Sequence, residues 1–282
     1  MRETLLAYHG EIHVTALAGM FCLLAPWEDK APLRVPGRSL KTRWLNNFGL
    51  WMISLIVAYA VLPAYGVGLA LLSQDNGWGV FNVVNLPGWL EVGVAVVLLD
   101  FALWLQHVIL HKVSWLWRLH SVHHNDHDFD VTTGLRFHPV EVIYTTAILS
   151  GAIVATGASP FAAFLYLLGL TLNEFFGHAN IRLPHGFERR WRLVFVSPDY
   201  HRIHHSQEIT EQQSNFAAGV FSFWDRLFRT YHSQPKAGHL AMGVGLPEFA
   251  EPRFERLYGM LVQPFVAARV PAAVEQARDT DR

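Results

Sequence analysis

Cysteine is all but missing from this chain: Cys22 is the only one in 282 residues. A disulfide framework within the chain and any cysteine-based metal site are therefore excluded. Charge is sparse as well, with Asp, Glu, Lys and Arg at 16% and a formal net charge of -1. No run of Lys or Arg resembles a basic patch, so no nucleic-acid partner is expected. Neither a G-x-G-x-x-G nucleotide fingerprint nor a cysteine-rich iron–sulfur run occurs, which argues against a resident flavin, nicotinamide or iron–sulfur group. The residues after Met1 lack the charged region, short apolar core and small-residue cleavage site of a signal peptide, so no removable leader is expected.

Apolar residues, by contrast, make up 51% of the chain, and the mean hydropathy is +0.21. These values predict an all-α integral membrane protein, multi-pass, with about four transmembrane helices in two hairpins. Residues 48–72, broken by Pro63, Gly66 and Gly68, form the first span, and 86–110 return. Residues 140–156 and 161–176, joined by an uncharged Gly157-Ala158-Ser159-Pro160 turn, form the second hairpin. The shorter run 14–25 is an interfacial or re-entrant segment or a short first span. Lys30, Arg34, Arg38, Lys41 and Arg43 mark a cytoplasmic loop by the positive-inside rule, whereas residues 73–85 carry no Lys or Arg. The whole of 1–282 is expected to be one membrane-embedded domain. Its core is 86–231, with an N-terminal interfacial segment and loop over 1–46 and a C-terminal surface helix and tail over 254–282.

Histidine is what stands out. The chain has 16, so an 18-residue window should hold about one, yet residues 107–124 hold five. A local excess of this kind points to metal. On a helix His107 and His111 share a face, as do His120, His123 and His124; His201, His204 and His205 repeat that second spacing. Eight imidazoles, nine with His178, exceed what one tetrahedral ion needs, so two ions sharing the set is the economical reading. Imidazole suits zinc, copper, iron or nickel, and spacing does not choose among them. All nine histidines fall on the predicted cytoplasmic side. Open-sided ions beside a membrane suit oxygen chemistry on an apolar substrate. The boxes lack the glutamate of H-E-x-x-H, so a zinc protease is not supported.

Several polar residues are candidates for orienting the ligands or meeting the substrate. Asp100 lies seven residues before His107, on nearly the same helical face, and is expected to hydrogen-bond a ligand imidazole. Glu174, four residues before His178, and Asn173 predict a cavity rather than lipid contact at the end of the last span. Asn180, two residues after His178, is a further candidate to stand behind the ligands or meet the substrate. His138, ahead of Pro139, is either a further ligand or a group behind the ligands with Arg136 and Glu141 as partners.

The strings Asp100-Phe101, His107-x-x-x-His111, Leu116-Trp117-Arg118-x-His120-x-Val122-His123-His124 and Arg136-x-His138-Pro139-x-Glu141 closely resemble the fatty acid hydroxylase and sterol desaturase superfamily. So do His178-Ala179-Asn180, Pro198-x-x-His201-Arg202-x-His204-His205-Ser206 and Trp224-Asp225-Arg226-Leu227-Phe228, in the family's order. Two departures lie outside the boxes: Arg229 stands where glycine is frequent, and Asn215-Phe216-Ala217 replaces a common Asn-aromatic-Gly. The resemblance implies two iron ions on the cytosolic side, held by His107, His111, His120, His123, His124, His201, His204 and His205, with His178 where a further histidine is common. It implies oxygen as co-substrate, and hydroxylation or desaturation of a lipid or sterol-like C–H bond. With no redox motif in the chain, a separate ferredoxin or reductase must bring the electrons. The competing readings are a membrane metal-dependent lipid hydrolase and a non-enzymatic metal-binding membrane protein.

Overall fold

The structure, a computed structural model, describes residues 2–266. After a short turn of helix, α1 (Arg2–Ala7), come α2 (His9–Lys30), α3 (Leu40–Val61), α4 (Gly66–Asp75), α5 (Gly88–Lys112), α6 (Ser114–His124), α7 (Pro139–Thr156) and α8 (Pro160–Gly177). The shorter α9 (His185–Trp191), α10 (Pro198–His204), α11 (Ile209–Gln212) and α12 (Phe223–Leu227) follow. Among the described residues there are only isolated β-bridges and no strand. The chain is thus all-α.

Five segments are long and apolar enough to cross a membrane: His9–Lys30, Leu40–Asn82, Gly88–Lys112, Pro139–Thr156 and Pro160–Gly177. The first exceeds the expected four. The apolar run 14–25 is short by itself, but its helix takes in His9, Glu11 and His13 at one end and Trp27 to Lys30 at the other. The resulting 22 residues reach about 33 Å, enough for the hydrocarbon core. The second segment is interrupted at Leu62 to Tyr65, where Pro63 and the left-handed Gly66 (φ 60°) end one helix and start another.

Local chemistry sets the helix starts. Pro139, Pro160 and Pro198 each open a helix, and the preceding His138, Ser159 and Ser197 accept a hydrogen bond from a first-turn amide. At the far end of the hairpin Gly157 (φ 68°) caps α7, and a Cβ on it would stand 2.8 Å from the Trp78 carbonyl oxygen. The loops 76–82 and 157–159 therefore touch, and both lack charge except for Asp75 beside them. The bundle core between them is Ala70, Leu99, Leu103, Leu149, Ile153 and Ala162.

At the other end the segment after α6 is clamped from two helices. Arg43 on α3 is buried and donates to Asp126 (2.8 and 3.0 Å) and Asp130 (2.5 Å). Glu28 at the end of α2 accepts from the Val131 amide (2.9 Å) and the Asn180 amide (2.5 Å). Arg43, counted in the sequence as a loop charge, is thus a structural group.

A single surface helix over 254–270 is not what the described part forms. Pro252–Glu255, Leu257–Val262 and Gln263–Phe265 are three separate helical turns. Met260 packs with Leu50 and Val122, and Gln263 pairs with Asn125 and Ser121. Burial of these groups ties the segment to α3 and α6; residues 267–282 lie outside the described residues.

Breaking the Arg43 pair leaves two carboxylates buried without a cation, a loss of about 3–5 kcal/mol. Arg43→Ala is expected to lower the thermal unfolding midpoint in detergent by several degrees; an unchanged midpoint would refute the clamp.

Candidate metal centre

All nine clustered histidines meet at the clamped end. His107 and His111 occupy the last two turns of α5. Val113, in extended conformation, turns the chain so that α6 folds back and presents His120, His123 and His124. His178 caps α8, and His201, His204 and the capping His205 come from α10. Every one is buried.

They form two groups: His107, His111, His120, His124 and His204 in one, and His123, His178, His201 and His205 in the other. Helical register explains the division. Residues four apart lie nearly above one another, so His107 with His111, His120 with His124, and His201 with His205 stay together. The middle members, His123 and His204, lie about 60° from the first member of their box and about 100° from the last in projection and join the opposite group. The groups abut where the His124 and His205 rings stack at 4.4 Å.

Hydrogen bonds fix the tautomers. The Nδ1–H of His107 donates to the Phe216 carbonyl (2.6 Å), that of His204 to Ser214 (2.8 Å) and that of His178 to Glu174 (2.7 Å). His120 Nδ1 donates to the Glu141 carboxylate at 2.6 Å. The Nε2 lone pairs of His107, His120 and His204 then face one another, while His123, His201 and His205 have no hydrogen bond at Nδ1 to set their tautomer. His107 and His120 Nε2 are 2.9 Å apart, His107 and His204 3.2 Å, His178 and His201 3.0 Å, His178 and His123 3.2 Å, and His201 and His205 3.2 Å. Acceptors facing acceptors repel unless a cation lies between them. Nitrogens about 2.0–2.1 Å from one ion would be about 3 Å from each other, so the spacing fits. His111 Nε2 and both nitrogens of His124 are buried without partners, which fits the same role.

Burial also keeps these rings neutral, the form that binds metal. It pushes His120 down to about 3 and His178 to about 4, and places His123, His124, His201, His204 and His205 well below the ordinary imidazole value.

The polar candidates divide differently from expectation. Asp100 bonds no imidazole: it accepts from the Val220 amide (2.6 Å), the Phe221 amide (3.3 Å) and Trp224 Nε1 (2.8 Å). Helical phase places it on the histidine face, but the 218–224 loop reaches it first. Arg136 donates to the Val122 and Phe254 carbonyls (both 2.8 Å) and touches no histidine. His138 caps α7, accepting from the Val140 amide at 3.2 Å, while its Nε2 donates to the Leu261 carbonyl at 3.2 Å; it stands outside both groups. Asn180 holds Arg34 through both of that residue's main-chain groups (3.0 and 2.8 Å). Glu174 alone stays beside the rings, its carboxylate 3.4 Å from His178 Nδ1.

Glu141, expected as a partner of His138, orients His120 instead, and Asp225, given no role from sequence, has one here. Asp225 accepts from the Phe216 and Ala217 amides (2.9 and 2.8 Å), Trp104 (3.2 Å), Thr230 (2.5 Å) and Tyr200. It thereby fixes the loop whose carbonyls hold His107 and His204. Of the departures, Arg229 takes a positive φ (62°), the conformation that makes glycine frequent in such a place, whereas Ala217 does not.

Between α2, α3, α5, α7 and α8 a cavity of about 280 Å³ opens onto five of the imidazoles, His107, His120, His123, His178 and His201. Its remaining wall is largely apolar, with Leu17, Trp51, Leu103, Leu170 and Phe175 among the lining residues. The centre therefore faces a lipid-like space inside the bundle.

The fatty acid hydroxylase family model matches residues 92–230. The ornithine lipid hydroxylase of Rhizobium tropici is 29% identical over 193 residues, 67% of this chain and 56% of that protein. Human alkylglycerol monooxygenase is 28% identical over 178 residues, 59% of this chain and 36% of its own length. Methylsterol monooxygenase 2-2 of Arabidopsis thaliana is 25% identical over 198 residues, 67% of each chain. The match thus spans about half or less of the first two relatives. No solved structure matches the chain.

Two groups predict two separable losses. His111→Ala and His205→Ala should each lower bound metal by about one ion per chain, measured by elemental analysis; unchanged content in either removes that residue from its group. A second expectation concerns acid. Unfolded imidazoles take up protons near pH 6.5, whereas the folded ones resist until about 4 for His178 and about 3 for His120. Stability of the metal-free protein should thus be present above 6.5 and fall as pH drops through this window; a flat acid limb in chemical unfolding would contradict it.

Proposed function

Since the chain belongs to the fatty acid hydroxylase superfamily and is a multi-pass helical membrane protein, we propose that it is an oxygen-dependent lipid oxidoreductase. In this reading it holds two iron ions in the two histidine groups and hydroxylates or desaturates a C–H bond of a membrane-soluble substrate. The observation that carries this reading is the cavity. Five imidazoles of both groups border an apolar space enclosed by membrane helices, so a lipid chain reaches the centre without crossing water.

Iron, when bound, would supply the activation of oxygen needed to remove hydrogen from an unactivated C–H bond. The chain supplies the rest. His107, His120, His178 and His204 present Nε2 because carbonyl or carboxylate groups hold their Nδ1–H. Asp225 and Asp100 fix the 214–224 loop over α5. The apolar wall positions the chain and keeps water away. Hydroxylation consumes one O2, two electrons and two protons, placing one oxygen in the product and one in water. The electrons come from a separate ferredoxin or reductase.

We place the centre on the cytoplasmic side. Lys30, Arg38, Lys41, Lys112 and Arg118 lie at its end of the helices, while the touching loops 76–82 and 157–159 carry no Lys or Arg. A metal carrier fits less well, because the histidines sit at helix ends rather than midway along the spans.

Incubating the iron-loaded protein with membrane lipid extract, reduced ferredoxin and 18O2 should yield a lipid heavier by one 18O atom, or one lighter by two hydrogens. Label arriving instead from H218O, without oxygen consumption, would replace this reading with a hydrolase.

A further inference from the structure

The cavity is not uniformly apolar. Gln106, Thr145, Thr146, Thr171, Glu141 and Glu174 line it together with five of the clustered histidines. Most of these groups are already occupied. Gln106 donates to Thr145 (3.0 Å), Thr171 to the Leu167 carbonyl (3.0 Å), and one Glu141 oxygen holds His120 while the other is buried without a partner. Glu174 differs in that its carboxylate accepts no hydrogen bond at either oxygen. His178 Nδ1 makes its short contact to the Glu174 main-chain oxygen (2.7 Å), leaving the carboxylate at 3.4 Å, and Oε1 is buried with no hydrogen-bond partner. A polar atom left unpaired inside a membrane bundle is costly, so a partner is expected from whatever fills the cavity.

We propose that Glu174 is a specificity-determining residue that accepts a hydrogen bond from a hydroxyl group of the lipid substrate, a hydroxyl lying within a few bonds of the carbon that reacts. This rests on the reading of the cavity as the substrate site. The distance limit follows from chain geometry: Glu174 is one turn from His178, and Gly134 lets the two approach, since a Cβ there would lie 3.2 Å from both Glu174 Cγ and His178 Nδ1. Size agrees with it. At about 280 Å³ the cavity is at the small end of ligand pockets, which run to about 300–1,000 Å³. The reacting end with its polar group fits, and the rest of a long chain must lie among the helices or in the bilayer. A plain hydrocarbon chain or the middle of an acyl chain would leave Glu174 without a partner.

The test compares 1-octanol with n-nonane, each of nine heavy atoms, by thermal-shift titration of the metal-loaded full chain at equal micellar mole fraction. The wild type should bind octanol at least tenfold more tightly. Glu174→Leu should cut that preference below threefold with metal content retained, and Glu174→Gln, which keeps an acceptor, should restore it. Equal binding of the two probes by the wild type overturns the proposal, as does an undiminished preference in Glu174→Leu. Should Glu174→Leu fail to fold, difference infrared spectroscopy decides: octanol should shift a carboxyl band in the wild type and not in Glu174→Gln, and a shift in both or neither refutes it. Binding is read without turnover, so a protein that keeps the preference yet oxidises nothing would sink the oxidase reading and leave this one standing.

Discussion

Nine buried imidazoles packed ring against ring at one end of the bundle are the constraint on which this structure turns. Desolvation keeps the rings outside the spans neutral, and carbonyl or carboxylate partners fix the tautomer of four. The lone pairs of His107, His120 and His204 converge at 2.9–3.2 Å, an arrangement that repels itself without a cation. Much of the surrounding architecture holds that convergence in place: the Arg43–Asp126–Asp130 clamp, the Asp225 loop anchor and the proline-started helices.

Helical register then accounts for there being two groups. A box with members at i, i+3 and i+4 spreads its three rings over an arc, because the middle member lies about 60° from the first and about 100° from the last in projection. Two such boxes on facing helices, exchanging their middle members, make two adjacent clusters from one spacing. That relation is readable in the sequence, as are the helical hairpin and its uncharged turn.

What was not readable depends on non-local pairing. Asp100 sits on the histidine face of α5, but periodicity gives direction and not the neighbour that arrives; the 218–224 loop, more than a hundred residues away, takes both oxygens. Glu141 and Asp225 follow no spacing rule relative to the rings they serve. The fifth candidate span was hidden by polar ends on a short apolar run, and the turns from Pro252 to Phe265 by a pattern that looks amphipathic until Met260 and Gln263 are seen buried. His138, by contrast, was partly legible: the residue before proline is extended, and here it caps α7.

The cavity brings apolar side chains of the bundle up to this centre, and the proposed chemistry rests on there being a metal ion in each group. The most direct measurement is an anomalous difference map recorded at the iron edge from the iron-loaded protein. Two peaks are expected, one among His107, His111, His120, His124 and His204 and the other among His123, His178, His201 and His205. A single peak, or peaks away from these nitrogens, would contradict the account.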